Sequence, residues 1–142
     1  MAFFKGTMVV CLLIGGLSCG GGSTGPRVME GGRIYVENQF PAPTDPRATN
    51  YVEATYYDEE LSREVTMLVP PEGGKKALGS ECAEYTSEGK LFQGGTEVKV
   101  HIQMKTVGQH EKDIPIIVDG NCTIVIFGHG REGGTFEYEI RT

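Results

Sequence analysis

Beyond residue 32, apolar and polar residues alternate with a period of two along most of the chain, and this alternation marks out one strand after another. Arg33-Ile34-Tyr35-Val36-Glu37 puts Ile34 and Val36 on one face and stops at Asn38. Pro41, Pro43 and Pro46 follow, and a segment so rich in a residue without a ladder donor is no central strand. Asn50 to Tyr57 sets Val52, Ala54 and Tyr56 inward against Tyr51, Glu53, Thr55 and Tyr57, and Asp58-Glu59-Glu60 turns the chain. Glu64 to Val69 returns with Val65, Met67 and Val69 on one face, so the two runs predict a hairpin that ends at the loop from Pro70 to Lys76. Residues 77–95 give no clear element. Thr96 to Lys105 is the most regular run, with Val98, Val100, Ile102 and Met104 set against Glu97, Lys99, His101, Gln103 and Lys105. It describes a strand with one dry and one wet face. Ile114–Val118 and Cys122–Phe127 are apolar on nearly every residue and flank Asp119-Gly120-Asn121, which predicts a tight hairpin because Asp-Gly tolerates positive φ. Pro115 then belongs at a strand start or with its nitrogen facing no neighbour. Thr135 to Arg141 closes the chain with Phe136, Tyr138 and Ile140 on one face.

About seven short strands separated by turn signals predict an all-β domain, an antiparallel two-sheet β-sandwich, with a small β-barrel as the alternative. In length and pattern the domain resembles immunoglobulin-like or transthyretin-like modules of envelope lipoproteins, without the tryptophan usual in an antibody-type core.

The first residues follow a different rule. Lys5 precedes the apolar run Met8-Val9-Val10-Cys11-Leu12-Leu13-Ile14, which fades into Gly15-Gly16-Leu17-Ser18-Cys19. This order of charged, apolar and small-residue regions is that of an export signal, and about ten apolar residues are half of the ~20 that a membrane-spanning helix needs. Leu17-Ser18-Cys19 followed by Gly20-Gly21-Gly22-Ser23 resembles the lipobox of bacterial lipoproteins. The resemblance implies cleavage before Cys19, a lipid on that cysteine and, with Gly20 rather than Asp behind it, sorting to the outer membrane where the cell has one. Gly16 and Ser18 also satisfy the small-x-small rule of an ordinary secretory signal, which cuts at the same bond and would give a soluble secreted or periplasmic protein. The glycine run favours lipidation, since such tracts are flexible coil and let a domain stand off a membrane. The expected organisation is therefore a signal at 1–18, a lipidated cysteine and flexible linker at 19–31, and the sandwich at 32–142.

Charge narrows the partners. The formal net charge is −6, and removal of Lys5 with the signal makes it −7, so nucleic acid and anionic headgroups are repelled. Of the four cysteines, Cys11 leaves with the signal and Cys19 takes the lipid. Cys82 and Cys122 remain as a pair in an oxidising compartment and are expected to form a disulfide; two buried free thiols are the alternative. Two cysteines are too few for a structural zinc site.

Candidate chemistry is sparse. His101 lies on the wet face of the best strand, His110 in a charged turn, and His129 between glycines, none of them at metal-ligand spacing. Gly128-His129-Gly130-Arg131-Glu132-Gly133-Gly134 is a candidate ligand loop, because glycines let backbone N–H groups converge and Arg131 adds charge, although it matches no phosphate-loop pattern. Asp58-Glu59-Glu60, with Asp45 and Glu53, offers oxygens suited to calcium in no calcium-loop spacing. No G-x-S-x-G occurs, and Tyr51, Thr55 and Tyr57 make an outward aromatic patch of the kind found at interfaces. The expectation is a lipid-anchored, non-enzymatic envelope protein that needs no cofactor or metal, held to the membrane through Cys19 and serving an envelope protein partner as an interaction or structural module. The alternative is a binding module for a carbohydrate, peptide or metal ion, using loops at one end, His129 and Arg131 among them.

Overall fold

The computed structural model describes residues 27–47, 49–105, 110–128 and 135–142 of the chain. Among them are eight strands and no helix: β1 (Ile34–Asn38), β2 (Tyr51–Asp58), β3 (Arg63–Val69), β4 (Gly74–Ala77), β5 (Glu97–Lys105), β6 (Glu111–Ile117), β7 (Cys122–Phe127) and β8 (Glu137–Arg141). They form two four-stranded sheets, in the orders β4-β1-β7-β8 and β3-β2-β5-β6. The sheets do not close on one another, so the architecture is the two-sheet sandwich and the barrel is set aside.

The period-two pattern explains the layers. On β2, Val52, Ala54 and Tyr56 are buried, and on β5 Val98, Val100, Ile102 and Met104 are, while the residues between them face outward. They pack against Ile34 and Val36 of β1 and Ile124 and Ile126 of β7, and Phe40, Phe92 and Phe136 complete the core. β2 and β3 form the expected hairpin, with Val52 opposite Val69 and Asp58 opposite Arg63.

One polar clip joins the sheets at the end where β1 finishes. Asn38 is fully buried, and its Nδ2 donates to the carbonyls of Asn50 at 2.8 Å and Val69 at 3.0 Å, both in the other sheet's chain segments. Its Oδ1 accepts from the backbone N–H of Phe40 at 3.1 Å. Every hydrogen bond it makes replaces one to water, which is the condition for burying an amide.

Four expectations are corrected. Cys82 and Cys122 are buried free thiols, not a disulfide. Cys122 opens β7, whereas Cys82 lies in the turns that follow β4, on the other side of β1 in the sheet order. The Cys82 thiol instead donates to Glu84 Oε1 at 2.9 Å.

The second correction concerns Asp119-Gly120-Asn121, which does not close a hairpin. β6 pairs with β5, and β7 pairs with β1 and β8, so the tripeptide carries the chain from one sheet to the other. Gly120 has the positive φ of 80° that the composition demanded. What occupies the edge that the hairpin would have used is the segment before β1: Glu30 accepts from Gly120 N at 2.8 Å, and Arg33 N donates to Asn121 Oδ1 at 2.7 Å. Gly32 lies so close to this connection that a Cβ there would meet the Gly120 carbonyl carbon at 2.2 Å.

Third, residues 74–76, read as loop, and Ala77, left without an element, are strand β4, paired with β1 from Asn38↔Gly74 to Tyr35↔Ala77. Fourth, the sheets are not wholly antiparallel, because β1 and β7 run parallel from Ile34↔Cys122 to Asn38↔Ile126.

Pro115 fits its expectation. Met104 N donates to His110 O at 2.8 Å and Val118 N to Thr96 O at 2.9 Å, so the even-numbered positions of β5 are the bonded ones. The pair Lys99↔Pro115 falls between two bonded pairs, and the proline nitrogen faces the open edge of β6.

Candidate functional site

At the end of the sandwich where the chain enters, the alternation of β2 continues one step too far. After Val52, Ala54 and Tyr56 the next inward position is Asp58, and its carboxylate is buried. Tyr56 donates to its Oδ2 at 2.8 Å and Tyr85 at 2.6 Å, while Leu61 N donates to Oδ1 at 3.0 Å across the β2–β3 turn. Lys90 Nζ stands 3.5 Å from Oδ1, 2.9 Å from the Tyr85 hydroxyl and 3.1 Å from Glu60. The ammonium also lies over the rings of Tyr85 and Phe92, 5.0 and 5.6 Å from their centroids.

Burial pushes the Asp58 carboxyl upward. The hydroxyls of Tyr85 and Tyr56, the Leu61 amide and the Lys90 charge outweigh it and hold the group down at about 2. Desolvation and the neighbouring anion raise both tyrosines above their ordinary value. Lys90 is pulled down by desolvation but ends raised, through Tyr85, Glu60 and Asp58. The consistent state is an ionised acid receiving two phenol protons beside a charged lysine. Both carboxylate oxygens are engaged, so the cluster binds the 78–92 segment to β2 rather than offering a free base.

Beside it lies an open groove of about 950 Å³, bordered by Met29, Tyr57, Glu59, Glu60, Lys90 and Leu91. Tyr57 and Leu91 are more than half exposed. The apolar side chains are flanked by acids, and Lys90 is committed to Asp58, Glu60 and Tyr85.

On the wet face of the β3-β2-β5-β6 sheet, His101 is clamped by two carboxylates of β6. Its Nδ1 is 2.7 Å from Asp113 and its Nε2 2.9 Å from Glu111. Asp113 above all, with Glu111 adding to it, raises the imidazole against the opposing effect of desolvation, and the protonated ring can donate from both nitrogens. Thr55 stands opposite His101 in the ladder, and its hydroxyl meets that of Thr66 at 2.9 Å. A threonine, a histidine and an aspartate thus share one row, but an imidazole engaged at both nitrogens does not take a hydroxyl proton.

The other sequence-derived candidates separate in space. Cys82 is joined by Glu84 and by Arg63, whose Nη2 is 3.5 Å from the sulfur. Its contact lowers the Glu84 carboxyl below the usual range, with Arg63 adding to the effect. Burial raises the Cys122 thiol. Asp45 pairs with Arg47 at 2.9 Å, in the loop between β1 and β2, whereas Asp58 closes the opposite end of β2, so the acidic residues do not converge. Among the described residues no three His, Cys, Asp or Glu side chains are placed to hold one metal ion. Tyr51 and Tyr57 are exposed on the wet face as their parity requires. Cys19, His129 and Arg131 lie outside the described residues. The chain leaves β7 and re-enters β8 on either side of His129 and Arg131, at the end away from the Asp58 cluster, where Gly128 meets Phe40.

The Asp58 network was missed in the sequence, where these acids read as a solvated turn. A signal existed, because Asp58 has the parity of Val52, Ala54 and Tyr56, and a carboxylate at a buried parity needs partners. Tyr85 and Lys90 carried no such mark, since they come from a segment without periodicity.

Comparison with protein-family models, with curated proteins and with solved structures finds no match to this chain.

Proposed function

We propose that the protein is a lipid-anchored, non-enzymatic module of the cell envelope, tethered through Cys19 and presenting its sandwich to an envelope protein partner. The observation that carries this reading is the polarity of the domain. The segment from Arg27 to Arg33 is fixed at one end, by Arg27 and Glu30 on Asp119 and by Gly32 on Phe92. β1, β5 and β7 finish, and β2, β6 and β8 begin, at the other end. An eight-residue strand such as β2 puts these ends ~26 Å apart. A glycine-rich tether entering at the near end would hold the far end, where β7 finishes, away from the membrane surface. The charged clusters support a structural role, since Asp58 and His101 are both saturated by partners of the same fold.

The test is the intact mass of the protein recovered from membranes of its own host, together with fractionation of Cys19→Ala. A diacylglyceryl-type increment on a chain starting at Cys19, and loss of the variant from the membrane fraction, are expected. An unmodified chain in the soluble fraction would overturn the anchor.

A further inference from the structure

Edge strands of a sandwich either hide their inner faces or protect their open side. The inner residues of β3, Val65, Met67 and Val69, are at most 5% exposed, and those of β6, Ile114 and Ile116, at most 4%. β6 also has Pro115 in its edge. β8 does neither. Among the described residues it pairs only with β7; it contains no proline, glycine or lysine, and its inner residues Tyr138 and Ile140 are 39% and 45% exposed although their ladder partners Ile126 and Ile124 are fully buried. Lys112 reaches across from β6 over the rings of Phe136 and Tyr138, at 5.3 and 6.0 Å, and covers part of the gap with its stem.

We propose that β8 pairs antiparallel with β8 of a second copy, in an isologous dimer that joins two four-stranded sheets into one of eight. The sequence Glu137-Tyr138-Glu139-Ile140-Arg141 is complementary to its own reverse. With the two-fold axis through Glu139, Glu137 faces Arg141 of the second copy twice on the outer face, and Tyr138 faces Ile140 twice on the inner face. The added strand covers the two half-exposed apolar side chains and satisfies the open row of backbone groups. The central Glu139 pair is of like charge. Each of these acids already accepts from Arg141 Nε of its own strand at 2.7 Å, which offsets the repulsion. Moving the axis to Tyr138 would oppose Glu137 and Glu139 twice, and moving it to Ile140 would take Glu137 out of the five-residue ladder and so lose its pairing with Arg141.

The experiment is sedimentation equilibrium of the full chain in density-matched detergent, with Glu137→Arg, Arg141→Glu and the double variant. Each single reversal sets like charges at two places and is expected to raise the dimer's dissociation constant about tenfold or more. The double variant restores both pairs and is expected to recover the wild-type value. Ile140→Lys, which places a charge on the inner face, is expected to give monomer while thermal unfolding shows the domain still folded. A wild-type chain that stays monomeric into the high micromolar range overturns the proposal, as does a dimer indifferent to the single reversals or not recovered by the double variant. The outcome does not depend on a lipid at Cys19, so it and the anchoring test fail separately.

Discussion

Protonating Asp58 would leave two phenol hydroxyls and an ammonium turned toward a neutral acid. The folded-state value near 2 lies below the ordinary ~3.9 of an unfolded aspartate, so the group stabilises the fold fully above pH ~4 and this contribution is lost as pH falls toward 2. The difference corresponds to about 2.5 kcal/mol. Denaturant unfolding of wild type and Asp58→Asn should therefore differ by at least that amount near neutral pH, and the gap should close by roughly pH 2. A gap that ignores pH would mean that the carboxylate's charge plays no part. His101 carries the opposite sign. Its folded value is raised, so its pairing with Asp113 and Glu111 is complete below the ordinary ~6.5 and weakens as pH rises through the folded value. An NMR titration should put the His101 midpoint above 6.5, and Asp113→Asn should bring it down. A midpoint unmoved by that substitution would show the 2.7 Å contact to be unimportant in solution.

At the scale of elements, the clip at Asn38 makes the sharpest prediction. Asn38→Ala strands the carbonyls of Asn50 and Val69 and the N–H of Phe40 inside the protein, and should cost about 2–3 kcal/mol in chemical denaturation. A loss below about 0.5 kcal/mol would show that water replaces the amide there. Strand existence was legible wherever one face is wet and the other dry: β2, β3, β5 and β8 fall within a residue or two of where alternation puts them. Strand partnership was not. The arms around Asp119-Gly120-Asn121 are apolar on nearly every residue, so the sequence carries no facing information there even though β6 proves to be an edge strand with Ile117 exposed, and the turn chemistry fits a crossing between sheets as well as a hairpin. β4 is four residues with two lysines and no apolar stripe, so only its ladder with β1 reveals it. The Asp58 site was half legible, through its parity, while Tyr85 and Lys90 reach it from a segment of turns.

For the whole molecule, the free thiols make a direct test. Cys82 and Cys122 are both buried, and a thiol reagent should leave them unmodified in the native protein and modify both on unfolding. Denaturation midpoints with and without reductant should coincide, whereas a drop of several degrees with reductant would mean that these two residues are bridged in solution.

The parallel pairing of β1 with β7 has a consequence in time. Residues about 88 positions apart, such as Arg33 and Asn121, must meet before the first sheet exists, and β1 has no sequence-adjacent partner to wait with. The β2–β3 hairpin needs only a short loop closure, whereas the β1–β7 ladder closes a far longer one, so it is expected to form after the hairpin. A chain that emerges N-terminus first can thus pair β1 with β4 early, but the first sheet stays incomplete until β7, more than 80 residues after β1, is available to fill its middle.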